Sequence, residues 1–400
     1  MYNLRGFVAV VLVLVAANTV AFPDHVGAEV QYFPVPSVST SKNDGNDAGL
    51  LVPILVTDPD GELRYIIAPM FINNSIVGNK GIINVFRYDP GGRQMKFIGS
   101  FAEKIERRLL FDYTDPAFSG GRYFLNFGGT FFKNATARFF GLGDATNEDE
   151  QTNYTAREIR ANWRFGIYAN EVTLISVSQR FRQVSLQRGA TDLPFTGTVF
   201  PNVPGVEGQT NIVGHRASFK YDTRNSLVTP TDGMTVNAYA ELNQNTSNST
   251  HPVYSRYELE LKKLLPSESK RAILVVRADL QATIGDQVPF FEQSSLGGQN
   301  NLRGYGVDRF IDKNLVAFSA EERLHVARAR IAGVMADFEI APFVDTGQVF
   351  NSWKDISFKE YRVTPGLGFR GIIRPNVVGR VDYGFSKEGG AVFAGLDFPY

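Results

Sequence analysis

The chain has 400 residues and no cysteine, and its 41 basic residues are balanced by 41 acidic ones. The absence of thiols excludes disulfides, thiolate metal sites and a cysteine nucleophile, and the neutral charge gives no reason to expect a nucleic-acid partner. The 38 Gly, 32 Phe and 16 Tyr residues indicate β-structure with aromatic girdles and close strand contacts.

The N-terminus has the pattern of an export signal. Arg5 provides a positive start, residues 6–17 form an apolar run, and small residues close to Ala21 match the positions that a signal peptidase reads. The apolar run is too short for a spanning helix, which needs about 20 residues. We therefore expect a signal peptide over residues 1–21, with cleavage after Ala21 or, alternatively, after Ala28.

The rest of the chain falls into two parts. Residues 22–48 become polar and rich in Ser, Asn and Gly, and are predicted to be a short linker. From 49 to 400, stretches of about ten residues alternate apolar and polar side chains between Gly, Pro, Asn and Asp turns. Arg277 and Asp279, for instance, share a strand face opposite that of Val276. The strands of a soluble β-sandwich also alternate apolar and polar side chains. In an all-β domain of this length, however, closure into a barrel removes the edge strands that would otherwise be open to aggregation.

We therefore predict that residues 49–400 form a closed antiparallel transmembrane β-barrel of sixteen strands. An even number is expected because both ends of a single-chain bacterial barrel lie on the periplasmic side. With this parity the three longest loops, 133–154, 184–210 and 285–312, lie outside the cell. A doubtful segment at 49–57 is left out of the wall. The predicted strands are 62–72, 80–88, 93–102, 105–113, 121–132, 155–165, 171–183, 211–222, 233–244, 254–265, 272–284, 313–325, 335–346, 361–373, 377–386 and 391–400.

The last predicted strand, 391–400, ends on an aromatic residue. Phe398 and Tyr400 share a face, and Gly395 precedes them in the same strand. A final strand of this kind resembles the assembly signal that outer-membrane barrels present to their insertion machinery. The alternative is an ordinary amphipathic strand that ends the chain.

One loop motif relates the chain to a known family. Residues 297–305 (GGQNNLRGY) resemble the GG…(V/L)RG(F/Y) loop of the BamA/TamA superfamily, also called the bacterial surface antigen family. Residues 343–347 (FVDTG) resemble its F-x-D-x-G strand, 222–225 (DTRN) its D-T-R-(D/N) turn, and 138–143 (RFFGLG) an F-(F/Y)-G-(I/L)-G element of related barrels. The loop positions that carry the match are Gly297, Gly298, Leu302, Arg303, Gly304 and Tyr305.

The resemblance implies that this extracellular loop folds back into the barrel lumen, where its Arg contacts acidic residues of the inner wall. A planar guanidinium binds a carboxylate bidentately, so Arg303 is expected to pair with Asp345. Strand alternation puts further charged residues on the same side of the wall. The alternative is a solvated surface loop with an incidental Arg303. The expected wall partners are Asp345, Gly347, Glu339, Glu321 and Arg323.

The resemblance also implies a function. Members of the family work in outer-membrane protein assembly or in translocation of protein or lipid-like cargo. Their proposed mechanism uses a seam between the first and last strands that opens sideways. In this chain the two seam strands would be 62–72 and 391–400. Such members usually carry periplasmic POTRA domains before the barrel. Only residues 22–48 precede the first candidate strand, so no POTRA domain is expected, and a separate periplasmic partner is left open.

Other functions are weaker alternatives. A passive porin-like channel is the serious rival, because a polar lumen of this size could conduct solutes. The DTG triplet at 345–347 lacks the second copy that an aspartic protease needs, no Gly-x-Ser-x-Gly element is present, and the four histidines form no ligand pair. We expect a protein that is not an enzyme and holds no metal or cofactor. Its expected location is the outer membrane of a Gram-negative bacterium, with membrane lipid, lipopolysaccharide and the barrel-assembly machinery as partners.

Overall fold

The computed structural model describes residues 18–19, 29–32, 34–250, 252–331, 334–373, 377–395 and 398–399. Most of these residues are β-strand, which confirms the all-β prediction. Loops carry a four-residue helix, α1 (Thr196–Val199), and 3-10 turns at Pro90–Gly92, Glu148–Glu150, Phe290–Glu292 and Trp353–Asp355. The strands are β1 (Asn18–Thr19), β2 (Glu29–Tyr32), β3 (Val35–Ser41), β4 (Gly45–Leu51), β5 (Ile54–Thr57), β6 (Leu63–Asn74), β7 (Gly78–Tyr88), β8 (Gln94–Ala102), β9 (Arg107–Phe118), β10 (Tyr123–Phe139), β11 (Thr152–Asn170), β12 (Thr173–Arg188), β13 (Gln209–Asp222), β14 (Gly233–Asn245), β15 (Val253–Pro266), β16 (Ala272–Ile284), β17 (Ser294–Leu296), β18 (Phe310–Asp312), β19 (Asn314–Ile331), β20 (Val334–Phe350), β21 (Arg362–Ile373), β22 (Val377–Ser386) and β23 (Gly389–Gly395).

The strands pair antiparallel with their chain neighbours in one large sheet, the main sheet. Pairing runs without interruption from β6 to β16 and continues through β19, β20, β21, β22 and β23. Between β16 and β19, β17 and β18 form a separate small hairpin. Each of the sixteen predicted strands overlaps an observed strand, because alternation is strong over all of them.

The predicted linker over residues 22–48 is wrong for the part that the structure describes. β2, β3 and the beginning of β4 lie in it, with β3 paired to β4 and β2 paired to β5. The small polar sequence of β3, VPSVSTS, hides the strand because it lacks bulky alternating side chains. The doubtful segment 49–57 is also strand. The count of sixteen is therefore not confirmed, since the described residues carry more strands than that.

The predicted seam also changes its N-terminal member. β6, which corresponds to the predicted strand 62–72, pairs with β4 and β5 on one side and with β7 on the other, so it is an interior strand. At the N-terminal end of the main sheet, β3 lies outside β4 and β1 lies outside β2, and β23 is the strand at the other end. Lys42, just after β3, donates from Nζ to the carbonyl oxygen of Glu388, just before β23, at 2.6 Å. Over the described residues no backbone pairing joins these two strands, so closure is not shown.

The two faces of the main sheet differ sharply in polarity. On β21, Val363, Leu367 and Phe369 are 55%, 53% and 49% exposed, whereas the side chain of Arg370 on the opposite face is fully buried. Soluble proteins show the reverse, because water favours exposed charge and buried aliphatic groups. Exposed large apolar side chains recur on β12, β15 and β20, so the apolar face, here called the outer face, suits contact with lipid. No helix within the described residues is long and apolar enough to cross a membrane.

The chain between β16 and β19, residues 285–313, packs against the other face of the sheet. We call this segment the inserted loop and the face that it covers the loop face. Its residue Glu292 reaches β12, which lies four strands from β16 on one side, while Arg303 reaches β20, which lies two strands from β16 on the other. A flat sheet would hold β10 and β21 far apart, but Arg362 on β21 lies 3.5 Å from Asp144 in the loop after β10, so the sheet curves. Apolar side chains of the loop pack against apolar side chains of β19 and β20 in one buried cluster. Its members are Leu296, Leu302, Tyr305 and Phe310 from the loop and Leu315, Ala317 and Val349 from the wall.

Candidate functional site

The motif at 297–305 forms a tight turn at the tip of the inserted loop. Gly297 has a φ of +124°, and a Cβ there would lie 2.3 Å from the carbonyl oxygen of Gly306, so only glycine fits. Gly298 donates its N–H to the carbonyl oxygen of Tyr305 at 3.2 Å, which closes the turn. The tip therefore points Arg303 into the wall rather than into solvent.

Gly304 brings the loop backbone directly against strands β21 and β22. A Cβ at this position would lie 2.6 Å from Cγ2 of Thr364 and 2.7 Å from the carbonyl oxygen of Phe385. The neighbouring side chains complete the contact: Leu302 is buried, and the rings of Tyr305 and Phe310 pack edge to face with centroids 5.2 Å apart. The loop is thus held by packing as well as by charge.

Arg303 is fully buried and forms a bidentate pair with Asp345. Its Nε lies 2.8 Å from Oδ2 and its Nη2 lies 2.9 Å from Oδ1, while its backbone N–H donates to Oδ2 at 3.1 Å. The Nη1 donates to Oε2 of Glu321 at 2.6 Å. The guanidinium also lies 3.5 Å from the centroid of the Phe343 ring, a cation–π contact. Two strands, β19 and β20, therefore hold one loop residue.

The pair is the centre of a larger buried set that we call the Arg303 network. Glu321 accepts from Arg323 at 3.0 Å and from Arg370 at 3.0 Å. Asp382, whose Oδ1 lies 2.7 Å from Arg370, also accepts from Arg380. The network contains four guanidinium groups and three carboxylates, all buried: Arg303, Arg323, Arg370, Arg380, Glu321, Asp345 and Asp382. The sequence did not single out Arg370, Arg380 or Asp382, although alternation on β22 puts the last two on the charged face.

Two predicted wall partners occupy different places. Glu339 is buried on the same strand as Asp345 but six residues earlier, about 20 Å along the strand, and so lies apart from the bidentate pair. Gly347 lies two residues after Asp345, where a Cβ would be 3.1 Å from Cδ1 of Leu296 in the inserted loop. The structure thus brings together Arg303, Asp345, Glu321 and Arg323, with Gly347 beside the loop.

The C-terminal residues meet the same network. The ring of Phe398 lies 3.6 Å from the guanidinium of Arg323. Gly395 ends β23 and lies opposite Arg380 on β22. Tyr400 and the two predicted cleavage sites at Ala21 and Ala28 lie outside the described residues.

A second buried charge cluster, which the sequence analysis missed, holds the other end of the inserted loop. Glu292 is fully buried and accepts from Arg180 at 2.5 and 3.0 Å and from Arg182 at 2.7 Å. The hydroxyl of Tyr254 donates to it at 2.9 Å, and Arg256 lies 3.5 Å away. Burial raises the pKa of Glu292, but the guanidinium groups of Arg182 and Arg180 outweigh it and hold the pKa well below its usual range. The carboxylate is therefore charged.

The other two motifs have structural contacts. In the turn after β13, Asp222 accepts two hydrogen bonds from Arg224, from Nε at 2.9 Å and from Nη2 at 2.8 Å. In the third motif, Arg138 donates to Thr191 at 2.8 Å, and Phe139 packs on the ring of Phe290 in the inserted loop at a centroid distance of 4.7 Å. Within the described residues no group of His, Asp and Glu could hold a metal ion.

An antiparallel sheet with an exposed apolar outer face and a buried, ion-paired loop face is the architecture expected of an outer-membrane β-protein. Residues 91–389 match the Omp85 superfamily domain. The chain belongs to the Omp85 superfamily, which confirms the resemblance seen in the loop motif and implies the Gram-negative outer membrane. The described residues show no POTRA domain. No curated protein matches the chain.

Two solved structures show the same fold. One is BamA from Haemophilus ducreyi lacking POTRA domains 1–3, with a TM-score of 0.58 and 15% identity over 90% of this chain and 73% of that one. The other is CdiB from Acinetobacter baumannii, with a TM-score of 0.50 and 14% identity over 92% of this chain and 66% of that one. The chain therefore spans just under two thirds of CdiB and about three quarters of that BamA chain.

Proposed function

We propose that the protein is a closed outer-membrane β-barrel that takes part in outer-membrane protein assembly or in translocation of protein or lipid-like cargo, with the inserted loop as an internal brace. The observation that carries the proposal is the buried bidentate pair between Arg303 on the loop and Asp345 on the wall. Family membership and the likeness to BamA and CdiB support a translocator or insertase role rather than a catalytic one.

Closure of the barrel is part of the proposal. The contact between Lys42 and Glu388 supports it, because it brings the turn after β3 to within hydrogen-bonding distance of the turn before β23. Asn43 also donates to the carbonyl oxygen of Val307, so the inserted loop lies against the same edge. The seam that opens during activity is then formed by β3 and β23, with lipid and lipopolysaccharide outside it.

The C-terminal residues Gly395, Phe398 and Tyr400 are proposed as the signal that the barrel-assembly machinery reads during biogenesis. A separate periplasmic protein is also proposed as a partner.

A cross-link across the seam tests the proposal, and the absence of native cysteine makes the labelling unambiguous. We expect a Lys42→Cys, Glu388→Cys double variant joined by a short bismaleimide to lose activity while keeping the folded, heat-modifiable form on gels. Each single variant treated with the same reagent is the matched control. Activity is scored as the outer-membrane protein content of a depletion strain. Full activity of the cross-linked protein would remove seam opening from the mechanism.

The passive channel is the second candidate function, favoured by the polar loop face. A plugged barrel conducts poorly, and its conductance rises when Arg303 or Asp345 is replaced. A large, steady conductance in the wild-type protein would favour the porin function.

A further inference from the structure

A cavity of about 310 Å³ lies on the loop face where β10, β11, β12, β13 and β14 are adjacent. Its walls carry five arginines and a single carboxylate, that of Glu241. Neutral donors and acceptors from Asn126, Asn162, Ser178 and Ser218 complete the lining. The cavity is separate from the Arg303 network, which lies on β19 to β22. The arginines are Arg160, Arg164, Arg180, Arg182 and Arg216.

The arginines of this cavity fall into two groups by their hydrogen bonds. Arg180 and Arg182 are occupied, because they donate to Glu241, Glu292 and Glu158. Arg164 donates only from Nε, to the hydroxyl of Ser176 at 2.8 Å, as far as the described residues extend. A guanidinium has five N–H donors, so Arg164 keeps unused donors beside the cavity.

Arg160 and Arg216 are similar to Arg164. Arg216 donates from Nε to Glu241 at 2.7 Å, and Arg160 donates from Nε to Glu158. Over the described part of the chain, the terminal nitrogens of both side chains have no hydrogen-bond acceptor. Three guanidinium groups on β11 and β13 therefore carry spare donors around one space.

The local charge is positive. The five lining arginines are bonded to three carboxylates, those of Glu158, Glu241 and Glu292, which leaves an excess of two positive charges. One step further out, Arg256 and Arg108 add two positive charges while Glu258 and Asp112 add two negative ones, so the excess of two positive charges is unchanged. An unbalanced positive charge in a partly enclosed space favours an anion, because the low local dielectric strengthens the attraction.

We propose that this cavity binds a phosphate group carried on a sugar. Planar guanidinium forks suit tetrahedral phosphate oxygens, and the amides and hydroxyls of Asn126, Asn162, Ser178 and Ser218 suit sugar hydroxyls. The volume is at the low end of the ~300–1,000 Å³ typical of small-molecule sites, which limits the ligand to one or two sugar units. Glu292 of the inserted loop binds Arg180 and Arg182 and so holds two of the lining arginines in place. The site requires neither cargo transport nor a closed barrel.

The experiment uses the purified full chain in detergent with glucose 6-phosphate as the probe and titration calorimetry as the readout. We expect saturable binding of glucose 6-phosphate and none of glucose. Arg164→Gln and Arg216→Gln should each weaken binding by about tenfold or more, the effect of losing a charge-assisted hydrogen bond. Arg87→Gln, which changes an exposed arginine on β7 away from the cavity, should leave binding unchanged.

Two further arms complete the test. The Ser178→Ala, Ser218→Ala double variant keeps every charge of the cavity. It should reduce the preference for glucose 6-phosphate over inorganic phosphate. This measurement tests the site even where an arginine variant fails to fold. Phosphorylated and dephosphorylated lipopolysaccharide distinguish a lipid-borne sugar phosphate from a free one. The proposed site would be ruled out if neither glucose 6-phosphate nor phosphorylated lipopolysaccharide bound. It would also be ruled out if wild type and Arg164→Gln bound glucose 6-phosphate equally well.

Discussion

Removal of Arg303 should cost more free energy of unfolding than removal of its partner Asp345, and the difference follows from their other contacts. Without Arg303, Asp345 keeps only the backbone N–H of residue 303 among the contacts described above, and it is fully buried. Without Asp345, Arg303 still donates to Glu321 at 2.6 Å. We expect Arg303→Gln to cost about 3–5 kcal/mol, the usual effect of leaving one member of a buried pair alone. Asp345→Asn should cost about 1.5–3 kcal/mol, the range for hydrogen bonds to charged groups.

Urea unfolding in detergent micelles, followed by tryptophan fluorescence, gives both free energies. The double variant Arg303→Gln, Asp345→Asn completes a double-mutant cycle and should cost less than the sum of the single variants by at least ~1 kcal/mol. Asp337→Asn, which changes a buried carboxylate on the same strand that accepts from Arg328 outside the Arg303 network, is the matched control and should couple weakly to Arg303→Gln. Additive costs in the cycle would show that the two residues do not act as a buried pair, and a smaller cost for Arg303→Gln than for Asp345→Asn would show that Asp345 does not depend on Arg303 in the way described.

Three further predictions concern the inserted loop and its surroundings. Glu292→Gln should raise the conductance of the protein in planar bilayers, because Arg180, Arg182 and Arg256 lose the carboxylate that holds the loop against β12; unchanged conductance would count against this anchor. Gly304→Ala should destabilise the protein by ~1–3 kcal/mol through overpacking against Thr364, measured by urea unfolding, whereas Gly81→Ala, with open space around its Cβ, should be nearly neutral. Asp144, in the loop after β10, has its pKa raised to about 6 by burial, against the opposing effect of Arg362. Because the folded protein keeps this proton longer than the unfolded chain, the stabilisation from Asp144 is fully present below pH 3.8 and is lost as the pH rises to about 6. The free energy of unfolding of the wild type minus that of Asp144→Asn should therefore fall as the pH rises from 3.8 to about 6. A difference that stays constant over this pH range would contradict the prediction.

The sequence was informative wherever side chains alternate strongly. Period-two patterns located β6 to β16 and β19 to β23 because bulky apolar residues face lipid on one side of each strand. β3 was missed for the opposite reason, since its Ser, Thr and Pro residues give no such signal. Because β3 lies at the end of the sheet, it also tolerates Pro36, and a proline within a segment counts against predicting a strand there. The loss of this strand from the prediction moved the expected seam to β6.

The charged sites show a similar limit. Alternation puts Asp345, Glu321 and Asp382 on the loop face, but it cannot show which of these residues meet. Arg370 and Asp382 join the Arg303 network only because β21 and β22 curve towards the loop. Glu292 depends even more on curvature, since its partners on β12 lie more than 100 residues earlier in the chain. Contacts of that range follow from the shape of the whole sheet rather than from a local pattern.

We propose that the outer face of the main sheet meets lipid while the loop face holds buried charge. Single cysteines at Leu367 and Phe369 on the outer face and at Ser178 on the loop face, each carrying a spin label in lipid vesicles, test it most directly. We predict that dissolved oxygen relaxes the labels at 367 and 369 strongly and a water-soluble nickel complex relaxes them weakly, with the opposite ratio at 178. Equal access of the nickel complex to all three positions would show that the outer face does not lie in lipid.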